Sequence, residues 1–116
     1  MIAYATIGTA DIEKSKAFYL AVLADMGGSI LMDIGRLAAF GTANGGAMLA
    51  VCTPYNGEAP SPGNGNMVSI APGSKELVDK LYAKAIELGA TDEGAPGPRM
   101  DGFSTATKSA SVISVN

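Results

Sequence analysis

The feature that most limits the fold is a strand–helix unit at the start of the chain that returns, degraded, in the second half. Met1 to Gly28 reads M-I-A-Y-A-T-I-G-T-A-D-I-E-K-S-K-A-F-Y-L-A-V-L-A-D-M-G-G, and Asn66 to Gly89 reads N-M-V-S-I-A-P-G-S-K-E-L-V-D-K-L-Y-A-K-A-I-E-L-G. A slide of 63 positions sets Tyr4 on Met67, Ile7 on Ile70, Asp11 on Ser74, Glu13 on Glu76, Phe18 on Leu81 and Tyr19 on Tyr82. An internal repeat of this kind implies a fold of two similar halves.

In the first copy, Ile2 to Gly8 is a strand of small and apolar residues. Asp11 is placed to cap the following helix, since its carboxylate accepts from free amides of the first turn. Ile12, Ser15, Phe18/Tyr19, Val22/Leu23 and Met26 recur at helical spacing and form its buried stripe. Gly27-Gly28 permits the left-handed backbone that stops a helix. Ser29 to Met32 and Leu37 to Phe40 are short strands around a turn at Asp33 to Arg36, and Gly41 to Gly46 is a second turn. Met48 to Thr53 is apolar on both faces, as a central strand is. Residues 54–65 hold three prolines and three glycines, so they connect the halves and form no strand or helix interior. Met67 to Ile70 echoes the first strand. Ser74 caps a second helix with Leu77/Val78, Leu81, Ala85 and Leu88 inward, and Gly89 ends it. Thr91 to Pro98 starts as a strand and breaks into a turn. Val112, Ile113 and Val115 offer one last strand. The order is βαβββ, linker, βα and a weakened βββ, an α+β arrangement with helices outside a curved mixed sheet. We divide the single domain 1–116 into module one (1–53), linker (54–65) and module two (66–116).

Bulk properties exclude several functions. A chain of 116 residues fits one domain and buries enough surface to need no staple. Its net charge of −3 and pI near 4.7 leave no clustered basic footprint for nucleic acid. No apolar run approaches a membrane span, and no secretion signal is visible. One cysteine, Cys52, makes no internal disulfide, which suits a reducing cytoplasm. Histidine is absent, which removes the commonest zinc ligand and general base.

The residues resemble the vicinal oxygen chelate superfamily, which includes glyoxalase I, bleomycin-resistance proteins and extradiol dioxygenases. The resemblance is carried by I2-A-Y-A-T-I-G, by D11-I-E-K-S-K-A-F-Y, by C52-T-P-Y-N-G with P62-G-N-G-N-M-V-S-I, and by A90-T-D-E-G-A-P-G-P-R99. Their order and spacing over residues 1 to 103 carry it more than any one motif. The nearest look-alikes are small bacterial glyoxalase-like proteins, often labelled lactoylglutathione lyase. The resemblance implies paired βαβββ modules around a cupped sheet, a small-molecule site inside the cup and a homodimer.

Metal-dependent members place His, Gln or Glu on facing strands, because a protein-held divalent ion must keep an open position for substrate oxygens. The resemblance puts the first ligand position at Tyr4, the second near Val51, the third at Met67 and the fourth on the last strand. A protonated phenol is a poor ligand, valine has no donor, and a thioether suits copper(I) better than harder ions. The expected D-x-D-G-N segment before the fourth position is missing. No metal and no cofactor are therefore expected. Instead, Gly102-Phe103 runs into Ser104-Thr-Ala-Thr-Lys-Ser-Ala110. One permissible set of codons for that peptide, read two bases later, spells Asp-Gly-Asn-Lys-Ile. A frame slip and a naturally divergent last strand are both open readings, and the codons themselves decide between them.

Other candidates have ordinary explanations. Cys52 lies in an apolar strand with nothing to activate it and reads as structural. Gly41 to Gly46 precedes a strand, not a helix, so it is a hairpin turn and not a phosphate loop. Asp11 and Glu13 suit the first turn of a helix without catalysis. Arg36 and Arg99, the only arginines, can clamp an anion but more often serve as surface charges. Tyr4, Phe40, Met48 and Met67 are the expected ligand-lining residues of the cup, since methionine and aromatic groups make an adaptable apolar lining; plain core packing is the competing role. The first functional reading is a metal-independent protein that binds a small, partly apolar molecule. The alternative is an enzyme acting on a glutathione adduct or related electrophile, with Tyr4, Glu93 or Asp101 as acid or base after a burial shift. A third is a decayed copy that keeps only the fold.

Overall fold

The computed structural model describes residues 1–92, 94–96 and 113–114. The chain divides into two units, Met1–Asn64 and Gly65–Asn116. The first unit runs β1 (Tyr4–Gly8), α1 (Ile12–Leu23), β2 (Ser29–Asp33), β3 (Leu37–Gly41) and β4 (Met48–Cys52), the βαβββ order expected for module one.

Local chemistry sets both ends of α1. Asp11 is extended, and its Oδ1 accepts from the Lys14 amide at 3.1 Å. Its own amide donates to Thr9 Oγ1 at 3.1 Å, and Thr9 Oγ1 lies 2.6 Å from Ser15 Oγ. That contact satisfies Ser15, a polar residue on the buried side of the helix. After Leu23 the chain tightens into a 3-10 turn over Ala24–Met26 and then turns left-handed at Gly27, with φ 82°. The Gly28 amide donates to the Leu23 carbonyl at 2.9 Å. A Cβ on Gly28 would stand 2.6 Å from Leu23 Cβ and 2.9 Å from that carbonyl oxygen. The two glycines are thus needed for different reasons, one for its dihedral and one for space.

The sheet order is β1-β4-β3-β2, with β1 parallel to β4 and the other pairs antiparallel. It is mixed, the class is α+β, and β4 is central as its two apolar faces predict. Helix α1 covers one face. Tyr19 and Phe40 rings lie 5.9 Å apart, so Phe40 faces the helix. Cross-strand partners share a face. Leu49 opposite Phe40 and Val51 opposite Ala38 therefore face α1, and so do Ala5 and Ile7 beside them on β1. Tyr19, Val22, Leu23, Phe40 and Val51 form the buried core between helix and sheet. Burial pushes the Tyr19 phenol up to about 12, so it stays protonated there.

Lys16 joins helix to sheet. Its Nζ lies 2.7 Å from Asp33 Oδ2 and 3.2 Å from Glu13 Oε1. The hydrogen bond from Lys16, helped by the Gly35 amide, holds the Asp33 carboxyl below its ordinary range. A carboxyl depressed on folding adds stability that is complete above its unfolded value and is lost as pH falls through the folded one. We expect the Asp33 side-chain carboxyl, followed by NMR, to titrate below an ordinary aspartate and to move back up in Lys16→Met. An unchanged midpoint in that variant would refute the pairing.

In the second unit, α2 (Lys75–Glu87) begins 63 positions after α1 begins, at the spacing of the repeat. Ser74 caps it, with Oγ accepting from the Leu77 amide at 3.2 Å. Val78, Leu81 and Ala85 are buried as expected, and Gly89 is left-handed with φ 100°. Leu88, expected on the buried stripe, is 46 % exposed. It falls one residue beyond the helix, where helical periodicity no longer aims a side chain. The Tyr82 hydroxyl bonds the Asp92 carboxylate, which lowers the carboxyl and raises the phenol. Strands β5 (Thr91–Asp92) and β6 (Ile113–Ser114) pair antiparallel, so part of the expected last strand forms. Val112 and Val115 lie outside the described residues, as does the 104–112 segment of the unusual tail.

One expected strand is corrected. Residues 67–70 belong to no strand. A strand exists only through a ladder partner, and β1 takes its partner from β4. The repeat equivalent of β4 falls at 111–115, of which only Ile113–Ser114 is described, and these two pair with β5.

Candidate functional site

The sheet face opposite α1 carries the candidate site. Strand alternation places Tyr4 and Thr6 of β1 there, with Met48, Ala50 and Cys52 of β4 and Ala39 and Gly41 of β3. Tyr4 and Met48 are register partners on adjacent strands. A register shift between Ile30 and Met32 marks a β-bulge in β2. Regular alternation would send Met32 to the helix side with Ile30. The bulge sets Met32 opposite Ala39 instead, so Leu31 and Met32 both serve the open face.

Geometry at Gly41 joins these residues. A Cβ there would stand 2.6 Å from Leu31 Cδ1 and 3.4 Å from Met48 Cγ, so both side chains border the glycine. Tyr4, Leu31 and Met32 are 56, 50 and 44 % exposed, whereas Ala39 and Ala50 between the outer strands are buried. At the other end, a Cβ on Gly8 would lie 3.0 Å from Pro60 Cβ, so the proline-rich segment borders the face there. None of the strand residues on this face is charged.

No family model and no curated protein matches the sequence. Among solved structures, the chain is similar to the crystal structure of a glyoxalase/bleomycin resistance protein from Albidiferax ferrireducens T118. The likeness has a TM-score of 0.77 at 28 % identity, over 88 % of this chain and 81 % of that one. That likeness supports the resemblance to the vicinal oxygen chelate superfamily, and the fold is of the glyoxalase/bleomycin resistance type.

The structure treats the expected superfamily positions unevenly. Tyr4 and Met48 meet on the open face. Phe40, expected to line a ligand site, packs under α1 at 1 % exposure and does not reach that face. Met67 belongs to the second unit and is exposed. Leu31 and Met32 were not among the expected residues. Leu31 follows from alternation once Phe40 is placed, but the bulge that turns Met32 over leaves no sequence signal.

Of the donor set that the resemblance implies, the three positions among the described residues do not fit a divalent ion. Val51 is fully buried toward α1, on the wrong face as well as without a donor. Tyr4 supplies a phenol and Met67 a thioether. Among the described residues, no three His, Cys, Asp or Glu side chains gather to hold a cation. Glu93, Arg99 and Asp101 lie outside the described residues. Arg36 is engaged in its own hairpin: Nη1 donates to the Thr53 carbonyl at 3.1 Å, and its guanidinium lies 5.2 Å from the Tyr55 ring centroid. Cys52 is half-buried at the end of β4, where its carbonyl accepts from the Thr9 amide at 2.8 Å.

Proposed function

We propose that this chain is a metal-independent protein of the vicinal oxygen chelate superfamily that binds a small, partly apolar molecule, and that the open face around Tyr4 and Met48 contributes to the site. The supporting observation is an uncharged face that leaves Tyr4, Leu31 and Met32 half exposed in a unit whose other sheet face is packed under a helix. Exposed apolar side chains on both outer strands of an uncharged face support a binding role for it. Met67 enters only through the repeat, as the counterpart of Tyr4 in the second unit. A cytoplasmic setting and a homodimer are part of the same proposal. Among the described residues no helix is long and apolar enough to cross a membrane.

A thermal-shift screen against glutathione conjugates and glycopeptide-like antibiotics tests this reading. A true ligand at a hundred times its Kd stabilises by about 2.7 kcal/mol. We expect the shift to survive a chelator and to fall by about tenfold in apparent affinity in Tyr4→Ala, the scale of one lost apolar contact. Turnover of the methylglyoxal–glutathione adduct that disappears with chelator would overturn metal independence and favour the lactoylglutathione-lyase-like alternative. Light scattering of the same samples checks the homodimer.

A further inference from the structure

We infer that the bond between Asn64 and Gly65 is a self-modification site, at which the asparagine loses ammonia and becomes aspartate or isoaspartate without any enzyme. The sequence carries Asn-Gly at three places, 44–45, 56–57 and 64–65, and every one of these residues is exposed. Hydrogen bonding separates them.

The chemistry needs only the two residues and water. The Gly65 amide nitrogen attacks Cγ of the Asn64 side chain. The new N–Cγ bond forms, the Cγ–Nδ2 bond breaks, and ammonia leaves with the amide proton, which closes a succinimide ring. Water then opens the ring at either carbonyl. One opening yields aspartate, and the other yields isoaspartate, whose main chain runs through the former side chain. Nothing is oxidised or reduced. Glycine favours the attack because it has no Cβ to obstruct the close approach.

The other two pairs are held against this reaction. The Gly45 amide donates to the Thr42 carbonyl at 3.1 Å. The Gly57 amide donates to the Pro54 carbonyl at 3.0 Å. The Asn56 side chain is held as well, with Oδ1 accepting from the Glu58 amide at 3.0 Å and Nδ2 donating to Glu58 Oε2 at 3.3 Å. In both turns the attacking nitrogen is committed to a carbonyl, so the turn must open before the nitrogen can reach Cγ. Among the described residues, no hydrogen bond engages the Gly65 amide or the Asn64 side chain. Each bond that must open first slows the attack by about fivefold. Asn64 is the last residue of the first unit and Gly65 the first of the second. The isoaspartyl product therefore puts a new negative charge and an added backbone methylene where the chain passes from one unit to the next.

Incubation of the intact chain at mildly alkaline pH, followed by peptide mapping with mass spectrometry, tests this. Conversion at Asn64 is expected to lead conversion at Asn44 by about fivefold and at Asn56 by more. Hydroxylamine, which cleaves a succinimide, should cut the folded chain mainly after Asn64. In urea the bonds that protect Asn44 and Asn56 are gone, so the three rates should draw together. Conversion at Asn44 or Asn56 as fast as at Asn64 in the folded chain would overturn the inference. So would rate ratios that urea leaves unchanged, or no conversion at Asn64 while the unfolded chain reacts there.

Discussion

Phe40→Ala is expected to cost the first unit about 3–5 kcal/mol, the usual cost of emptying a buried phenylalanine site. Phe40 is 1 % exposed and lies against Tyr19, whose phenol is itself buried. Such a loss is a large share of the ~5–15 kcal/mol that holds an ordinary domain together. Urea denaturation measures it. The result separates two roles that the sequence leaves open. A ligand-lining phenylalanine on an open face would lose affinity and little stability. A core phenylalanine loses stability first. A Phe40→Ala protein with an unchanged urea midpoint would contradict the side of the sheet assigned to it.

Val51→Glu is the second large effect. Restoring a carboxylate near the second superfamily ligand position looks, from sequence, like a step toward a metal centre. The structure predicts the opposite. Val51 is fully buried beside Ala38 on the face covered by α1, so the new carboxylate leaves water with no partner provided. An unpaired buried charge belongs to the short list of changes that cost more than about 4 kcal/mol. We expect Val51→Glu to unfold at neutral pH and to gain no affinity for nickel or zinc. A folded Val51→Glu that binds either metal would show that this residue faces the open side.

The legible parts of the fold are those written in neighbouring residues. Asp11 and Ser74 each cap a helix through an amide three residues on, and Gly27 provides the left-handed exit after the first. These contacts span a few residues, so propensity and spacing suffice to find them. The central position of β4 was visible for a similar reason, since its two apolar faces need cover on both sides. The candidate site was legible only in part. Tyr4 and Met48 meet because β1 and β4 pair in one register, whereas Phe40 was assigned to the same lining and instead turns to the helix. With strand alternation alone, nothing says which face receives the helix, and a choice of face reassigns every side chain on the strand.

The amino-acid sequence alone determined the 63-residue spacing of the two helices, their caps, the four strands of the first unit and the resemblance later matched by a solved structure. Tertiary structure decided which sheet face α1 covers, that Val51 and Phe40 are core residues, and that the bulge carries Met32 to the side where Leu31 stands. It also left residues 67–70 outside any ladder. The division has one physical cause. Helix boundaries depend on bonds between residues three or four apart, while faces, bulges and strand membership depend on partners many residues away, whose register no local pattern encodes.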